Sequence, residues 1–343
     1  MRICIYGAGA IGGYLAAGLS AVNGVELSLV ARGAHLEKIQ QDGLKLLIVG
    51  EERICRPRAT HDPATLGPQD YVIVGLKAHQ AWEAAAQTRP LLGPHTAVVT
   101  CQNGVPWWYG YGLPGFDGLR LRSVDPGDRQ WNAIGPERAI GCVVYPATDM
   151  PAPGVVRHTY GNKFSLGEPD GTISERCRVL SGALEQAGFD APILKDIRSE
   201  LWLKLWGNLC FNPISALTRT TLDVVATEPA LRALSVRMMS EAKDIAERFG
   251  ASFRVDIERR INGAARVGAH RTSMLQDLEG GRPLEIDALL TAVQEMGRLV
   301  RVETPYIDTV LGLAQQLGRS LTIYPTFPLE TAAVAQPSLM VGT

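Results

Sequence analysis

Residues 2–13 read Arg-Ile-Cys-Ile-Tyr-Gly-Ala-Gly-Ala-Ile-Gly-Gly. The four apolar residues after Arg2 have the composition of a short buried strand, and the Ala- and Leu-rich stretch from about Ala10 to Val22 predicts a helix. A second apolar strand is expected over Glu26–Ala31. Strand, glycine-rich turn, helix and strand within about 30 residues predict a βαβ unit at the start of the chain.

Three glycines in this turn, Gly7, Gly9 and Gly12, follow the spacing Gly-x-Gly-x-x-Gly. In that pattern the first glycine makes a tight turn, the second lets the backbone approach a pyrophosphate, and the third lets the helix pack closely on the strand. The helix N-terminus then presents free N–H groups to the phosphates. An ordinary glycine-rich turn is the alternative. The position between a strand and a helix favours a dinucleotide site made by Gly7, Ala8, Gly9, Ala10, Ile11 and Gly12.

The end of the second strand indicates which dinucleotide binds. NAD sites usually carry Asp or Glu there to hold the ribose 2′-OH. This chain reads Leu-Val-Ala-Arg-Gly over residues 29–33, without an acid. Because the guanidinium of Arg32 suits a 2′-phosphate, NADPH is the predicted cofactor. In the alternative interpretation, Arg32 is an ordinary exposed loop charge.

Length and charge restrict the class of protein. The 343 residues predict two domains, and 34 Lys and Arg against 35 Asp and Glu give a formal net charge of −1. This balance provides no electrostatic drive toward nucleic acid or an anionic membrane, and neither is expected as a partner. The six cysteines and six histidines have none of the usual zinc spacings. We therefore expect reduced thiols, no metal site and a cytoplasmic protein.

Strand and helix patterns alternate along the first half of the chain, and the pattern after Lys195 is helical. Runs of strands followed by runs of helices predict two domains. We expect an α/β Rossmann-type dinucleotide-binding domain over residues 1–195 and an all-α domain over residues 196–343.

The later elements can be given approximate bounds. Strands near residues 139–145, 154–159 and 163–166 look antiparallel and should close one edge of the sheet. Pro213 should disturb the first of the later helices. Those helices are predicted over residues 198–212, 229–249, 255–267, 285–303 and 306–318.

Two polar side chains directly follow predicted strands. Lys77 comes after the apolar run 70–76, and Asn103 lies two residues beyond the run 96–101. In an open α/β sheet the carboxyl ends of the strands face the ligand crevice, which favours a functional role for both residues. The alternatives are a loop cation and an ordinary Asn-Gly turn.

A polar stripe is expected on the first helix of the second half. Lys204, Asn208 and Asn212 are four residues apart and so share one face of an otherwise strongly apolar helix. Polar groups on a buried face need partners, since leaving them without hydrogen bonds is costly. From the residues alone, a binding site and a solvent-facing or helix-joining stripe remain equally open.

A third segment reads Ser-Met-Leu-Gln-Asp over residues 273–277 and Glu-Ile-Asp over residues 285–287, on either side of a Gly-Gly turn. The pattern predicts the end of one helix and the start of another. On physical grounds alone, Glu285 and Asp287 are best explained as acids favoured in a first helical turn.

Taken together and in this order, these motifs resemble those of the ketopantoate reductase family. The resemblance covers nearly the whole chain and implies a Rossmann domain joined to a helical domain, with the substrate in the cleft between them. It also implies that NADPH delivers a hydride to the 2-keto carbon of 2-dehydropantoate, which yields pantoate for pantothenate and coenzyme A biosynthesis.

The resemblance also implies roles for single residues. Lys204 would be the acid that protonates the ketone oxygen, and Glu285 would bind the substrate hydroxyl and help to position Lys204. The other implied contacts fall into two groups. Arg32, Lys77 and Asn103 would contact the cofactor, and Asn103, Asn208, Asn212 and Ser273 would contact the substrate.

One segment departs from the family pattern. Usual members continue quickly from Asn103-Gly104 to the next strand, whereas this chain inserts an aromatic-rich segment over residues 106–138. This segment is either a surface excursion or oligomer contact, or a lid or altered pocket wall. A bulkier 2-keto acid is therefore an alternative substrate, and a non-catalytic dinucleotide sensor is a less favoured alternative function. A homodimer remains open.

Overall fold

The structure is a computed structural model of the chain and describes residues 1–324. Its strands are β1 (Arg2–Tyr6), β2 (Glu26–Val30), β3 (Leu44–Ile48), β4 (Glu51–Cys55), β5 (Arg58–Thr60), β6 (Gln69–Val74), β7 (Leu92–Thr100), β8 (Ala139–Val144), β9 (Ala147–Ala152), β10 (Val155–Tyr160) and β11 (Phe164–Gly167). Seven of them form one sheet in the order β11-β8-β7-β6-β1-β2-β5.

The helices divide between the two halves of the chain. The first half carries α1 (Ala10–Leu19), α2 (Gly33–Asp42), α3 (Ala78–Ala84), α4 (Arg129–Ile134) and α5 (Glu175–Gln186). The second half carries α6 (Ile197–Thr218), α7 (Leu222–Thr227), α8 (Pro229–Arg248), α9 (Ile257–Ala265), α10 (Ser273–Glu279), a π-helical turn (Asp287–Thr291), α11 (Ala292–Val300) and α12 (Pro305–Ser320).

The centre of the large sheet is parallel. β1 lies between β6 and β2 and pairs in parallel with both. Its residues Ile3, Cys4 and Ile5 are fully buried, which is why the strand has no polar face. Because parallel strands end at the same edge, the segments after Tyr6, Val74 and Thr100 lie side by side. The predicted α/β fold followed by a helical region is confirmed.

The predicted antiparallel edge is partly wrong. β11 does pair antiparallel with β8, but β8 pairs in parallel with β7. The strand predicted near residues 154–159 is β10, which belongs to a second sheet with the order β4-β3-β10-β9. That sheet was missed because most of β4 is exposed and charged, and because β3 pairs with a strand far along the chain.

Helix α6 is longer than predicted and continues through Pro213 to Thr218. Proline removes one backbone hydrogen bond and costs about 3 kcal/mol within a helix. Its neighbours Phe211 and Ile214 are almost fully buried, and burying such side chains contributes about 1.5 to 3 kcal/mol each. Packing on both sides of Pro213 therefore outweighs the lost hydrogen bond.

The aromatic segment 106–138 is not a surface excursion. Trp107, Trp108 and Tyr109 are at most 2% exposed and belong to the apolar core that also contains Trp202 of α6. The Nε1 atom of Trp202 donates a hydrogen bond of 2.7 Å to the hydroxyl of Tyr109. The segment thus packs directly on the helical half of the chain.

A second set of contacts fastens this segment to the helical half. The carboxylate of Glu295 in α11 accepts hydrogen bonds from the backbone N–H groups of Arg122 and Ser123 and from the Ser123 hydroxyl, at 2.6 to 3.0 Å.

Within residues 1–324, no helix is long and apolar enough to cross a membrane. The last part of the predicted second domain, residues 325–343, lies outside the described residues.

Candidate active site

The glycine loop lies at the carboxyl end of β1, and steric contacts explain why Gly7 and Gly12 have no side chain. Gly7 adopts φ +100°, and a Cβ there would approach the side chain of Leu76 to 2.7 Å. A Cβ on Gly12 would collide with the carbonyl oxygen of Gly7, so this glycine allows α1 to pack closely on the loop.

Gly9 is different because the position of its Cβ faces open space, with no described atom within 4 Å. It is also the N-cap of α1, and because glycine has no side chain it cannot cap the N–H groups of the first turn. The loop therefore offers free N–H groups beside an open approach, and these features fit a dinucleotide pyrophosphate.

Arg32 lies at the carboxyl end of β2, the strand next to β1, and begins α2. Its side chain is exposed. Val30, two residues before Arg32, pairs with Tyr6 at the end of β1, so Arg32 follows the edge of the sheet at which the glycine loop begins. Burial raises the pKa of Tyr6, and the charge of Arg32 partly opposes that rise. A cation beside the glycine loop is well positioned for a 2′-phosphate.

The polar stripe of α6 faces the loop that follows β7. Nζ of Lys204 donates a hydrogen bond of 2.7 Å to Oδ1 of Asn103, and Nδ2 of Asn208 lies 3.4 Å from the same oxygen. The structure therefore brings together three of the predicted residues, from positions about 100 residues apart, at the edge where the strands end.

These three residues line a cavity between the sheet and α6. The cavity opens to solvent. Its polar lining residues are Thr100, Gln102, Asn103, Lys204 and Asn208. Its apolar lining residues include Pro106, Trp108, Val143, Leu201 and Leu205.

The acid–base properties of the site follow from its burial. Burial lowers the pKa of Lys204 to about 8, although Cys142, Glu285 and Cys101 raise it in part. Burial also raises the pKa of Glu285, and this rise is opposed by the charge of Lys77 and by hydrogen bonds from Ala78 and Asn103. A cationic acid and a carboxyl group therefore flank the Asn103 side chain.

The π-helical turn begins two residues after Glu285, and it contacts the loop that carries Asn103. This contact holds Glu285 in place. The backbone N–H of Val105 donates a hydrogen bond of 2.8 Å to the carbonyl of Ala288. Gly104 has φ +92°, and a Cβ there would overlap this carbonyl group. Glycine thus permits the close approach that joins Asn103 to the segment carrying Glu285.

Lys77 has a partner that the sequence did not reveal. Its Nζ lies 2.5 Å from Oδ2 of Asp277 and 3.3 Å from the carbonyl oxygen of Pro283, both in the helical half. Asp277 is buried and also accepts a hydrogen bond of 2.9 Å from Nε of Arg282. The Ser-Met-Leu-Gln-Asp motif contains this aspartate, but local spacing gave no reason to pair it with a lysine 200 residues away.

Asn212 and Ser273 lie one helical turn beyond the cavity. Nδ2 of Asn212 is 3.3 Å from Oγ of Ser273, the first residue of α10. Neither side chain is among the residues that line the cavity around Lys204.

No group of three or more His, Cys, Asp or Glu residues within positions 1–324 could hold a metal ion.

Sequence models of one family match both halves of the chain. Residues 3–107 match the model described as ketopantoate reductase PanE/ApbA, and residues 196–318 match the model of its C-terminal part. A 2-dehydropantoate 2-reductase from Mesorhizobium japonicum is 56% identical over 319 residues, which cover 93% of this chain and 98% of that protein.

Solved structures agree with this relationship. A protein from Ralstonia solanacearum MolK2, assigned to the ketopantoate reductases, is 43% identical with a TM-score of 0.90 and covers 94% of this chain and 99% of its own. D-Mandelate dehydrogenase, solved with NADH and anilino(oxo)acetate, shares the fold at 20% identity, with a TM-score of 0.80 and coverage of 94% of this chain and 100% of its own. The chain belongs to the ketopantoate reductase family.

Proposed function

We propose that the protein reduces 2-dehydropantoate to pantoate with NADPH, a step of pantothenate and coenzyme A biosynthesis. The observation that carries this proposal is the ammonium group of Lys204, which lines a cavity at the carboxyl end of β7, on the same edge of the sheet as the glycine loop. The relative from Mesorhizobium japonicum, whose name gives the same reaction, supports it. A sensor would need no such proton donor, whereas a reductase does.

The cofactor assignment rests on the glycine loop and on Arg32. Residues 7–12 would hold the pyrophosphate of NADPH, Arg32 its 2′-phosphate, and Lys77 and Asn103 would lie near its nicotinamide end. When bound there, NADPH supplies the hydride that reduces the ketone. The division into a cofactor domain over residues 1–195 and a substrate domain over residues 196–343 remains part of this proposal.

Lys204 supplies the proton. Negative charge develops on the ketone oxygen during reduction, and an ammonium held in place beside that oxygen stabilises it. The hydrogen bond from Lys204 to Asn103 orients the ammonium before substrate binds. Glu285 binds the substrate hydroxyl and keeps a compensating charge near Lys204, which opposes the loss of its proton through burial.

The remaining polar groups bind the 2-keto acid. Asn103 and Asn208 face the cavity and would hold the polar end of the substrate. Asn212 and Ser273 form a hydrogen-bonded pair one turn further along α6, where they would bind the far end of the molecule. All four groups donate hydrogen bonds, which suits an oxygen-rich acid.

A direct test uses the purified protein, NADPH and a panel of 2-keto acids, and follows the loss of NADPH absorbance. We expect turnover of 2-dehydropantoate, with pantoate identified by mass spectrometry. Turnover of none of these acids would exclude the proposed reaction. Pyruvate serves as a small 2-keto acid without the branched group.

Replacing Arg32 with alanine should weaken NADPH binding about tenfold to a hundredfold, because a hydrogen bond to a charged group contributes roughly 1.5 to 3 kcal/mol. NADH lacks the 2′-phosphate, so its binding should change little. Titration of both cofactors into wild type and variant measures the two effects. An equal loss for NADH and NADPH would contradict a 2′-phosphate contact.

The rate of reduction should fall as the pH rises through about 8, the pKa to which burial lowers Lys204. The ammonium form is the proton donor, so the rate should decrease about tenfold per pH unit on the alkaline side when the chemical step limits turnover. Single-turnover rates at saturating NADPH and substrate test this. A rate that stays constant to about pH 10 would exclude Lys204 as the titrating acid.

A further inference from the structure

The apolar wall of the cavity comes partly from the segment that departs from the family pattern. Pro106 and Trp108 belong to that segment, and they face the cavity together with Leu201 and Leu205 of α6. The polar groups of Asn103, Lys204 and Asn208 line the same cavity. A ligand that fills such a cavity has one polar end and one apolar group, as a branched 2-keto acid does.

Trp108 is fixed in this wall by its polar atom. Its Nε1 donates a hydrogen bond of 2.9 Å to Oγ1 of Thr100, a residue at the end of β7. The indole ring also packs directly on β8, since a Cβ on Gly141 would lie 2.9 Å from two of its ring carbons. The ring can neither flip out nor slide deeper into the sheet without losing these contacts.

A cation holds the backbone of the segment from the other side. Nε of the buried Arg198 donates a hydrogen bond of 2.9 Å to the carbonyl of Tyr109, and its Nη2 donates one of 2.6 Å to the carbonyl of Tyr111. The guanidinium carbon is 5.8 Å from the ring centre of Trp108. The wall is therefore rigid, and a rigid wall discriminates by size.

We infer that Trp108 sets the upper size limit of the apolar group that the 2-keto acid carries next to its carbonyl. This inference rests on the proposed function and adds a specificity-determining residue to it. The fixed ring lines the cavity, so acids with a compact branched group fit, while an acid with a phenyl group attached to the carbonyl meets the indole.

The test compares two neighbouring tryptophans that are similarly buried, of which Trp108 lines the cavity and hydrogen-bonds Thr100 and Trp107 does neither. Trp107 is as buried as Trp108 but packs against Trp131, at 6.3 Å between ring centres, and does not line the cavity. Trp108→Leu and Trp107→Leu therefore remove the same group from equally buried positions. The readout is kcat/KM for phenylglyoxylate divided by kcat/KM for 2-dehydropantoate.

We expect Trp108→Leu to raise this ratio at least tenfold, which is the scale on which apolar pockets discriminate by size. Trp107→Leu should leave the ratio within about twofold of wild type. Should Trp108→Leu fail to fold, Trp108→Phe, which removes one ring, must raise the ratio in the same direction. Melting temperature and NADPH affinity are measured for every variant.

Two results would overturn the inference. The first is an unchanged ratio in a folded Trp108 variant, and the second is an equal rise in Trp107→Leu. If the wild-type protein reduces none of the acids, the proposed function is wrong, and the inference about Trp108 that rests on it is wrong as well. Turnover of 2-dehydropantoate by wild type with an unchanged ratio in Trp108→Leu refutes the size limit alone.

Discussion

The variant Lys204→Ala should lose a factor of roughly 10² to 10⁴ in reductive turnover, the usual contribution of general acid catalysis. The ammonium is the cation that lines the cavity within bonding distance of Asn103. Its removal leaves the glycine loop intact, so NADPH binding should be close to that of wild type. Single-turnover reduction and NADPH titration measure the two quantities separately.

A matched control is Lys243→Ala, which removes a half-exposed lysine of α8 whose partner is Glu247. It should keep wild-type turnover. If Lys204→Ala folds, binds NADPH and turns over 2-dehydropantoate at the wild-type rate, Lys204 is not the acid and the proposed mechanism is wrong.

The second large effect is expected for Gly104→Ala. The new Cβ would overlap the carbonyl of Ala288, and the positive φ of 92° adds backbone strain. The Asn103 loop must then move away from the segment that carries Glu285. Because a misplacement of about 1 Å at a reacting centre can cost about 10²-fold in rate, kcat/KM should fall by at least that factor.

Gly115→Ala is the control for strain alone. Gly115 has a similar φ of 78°, but no described atom lies within 4 Å of its Cβ position. Both variants should lower the melting temperature, whereas the loss of kcat/KM should be confined to Gly104→Ala. Equal activity in the two variants would mean that the contact between Gly104 and Ala288 does not hold the site together.

Local sequence patterns were sufficient to predict features that lie within one helix or within one contiguous strand–turn–helix unit. The glycine loop was predicted because strand, turn and helix are contiguous, and the stripe of Lys204 and Asn208 was predicted because helical spacing is regular. The rule that parallel strands end at one edge predicted that Asn103 faces the ligand crevice. Local patterns did not predict that Lys204 and Asn208 hydrogen-bond Oδ1 of Asn103.

Long-range pairing was beyond these patterns. The second sheet joins β3 to β10, and β4 shows no alternation of apolar and polar residues because it is mostly exposed. The ion pair of Lys77 with Asp277 likewise depends on how the two halves dock. Periodicity reports which face of an element is buried, but it does not report what that face meets.

The segment 106–138 has a consequence for how specificity can be exchanged between relatives. It lies in the chain between β7 and β8 of the large sheet, yet Trp108 shares the cavity wall with Leu201 and Leu205 of α6, and Glu295 of α11 holds its backbone. A chimera joined at residue 195 would combine one parent's wall with the other parent's helices. Selectivity should therefore be transplanted only when the segment and α6 come from the same parent.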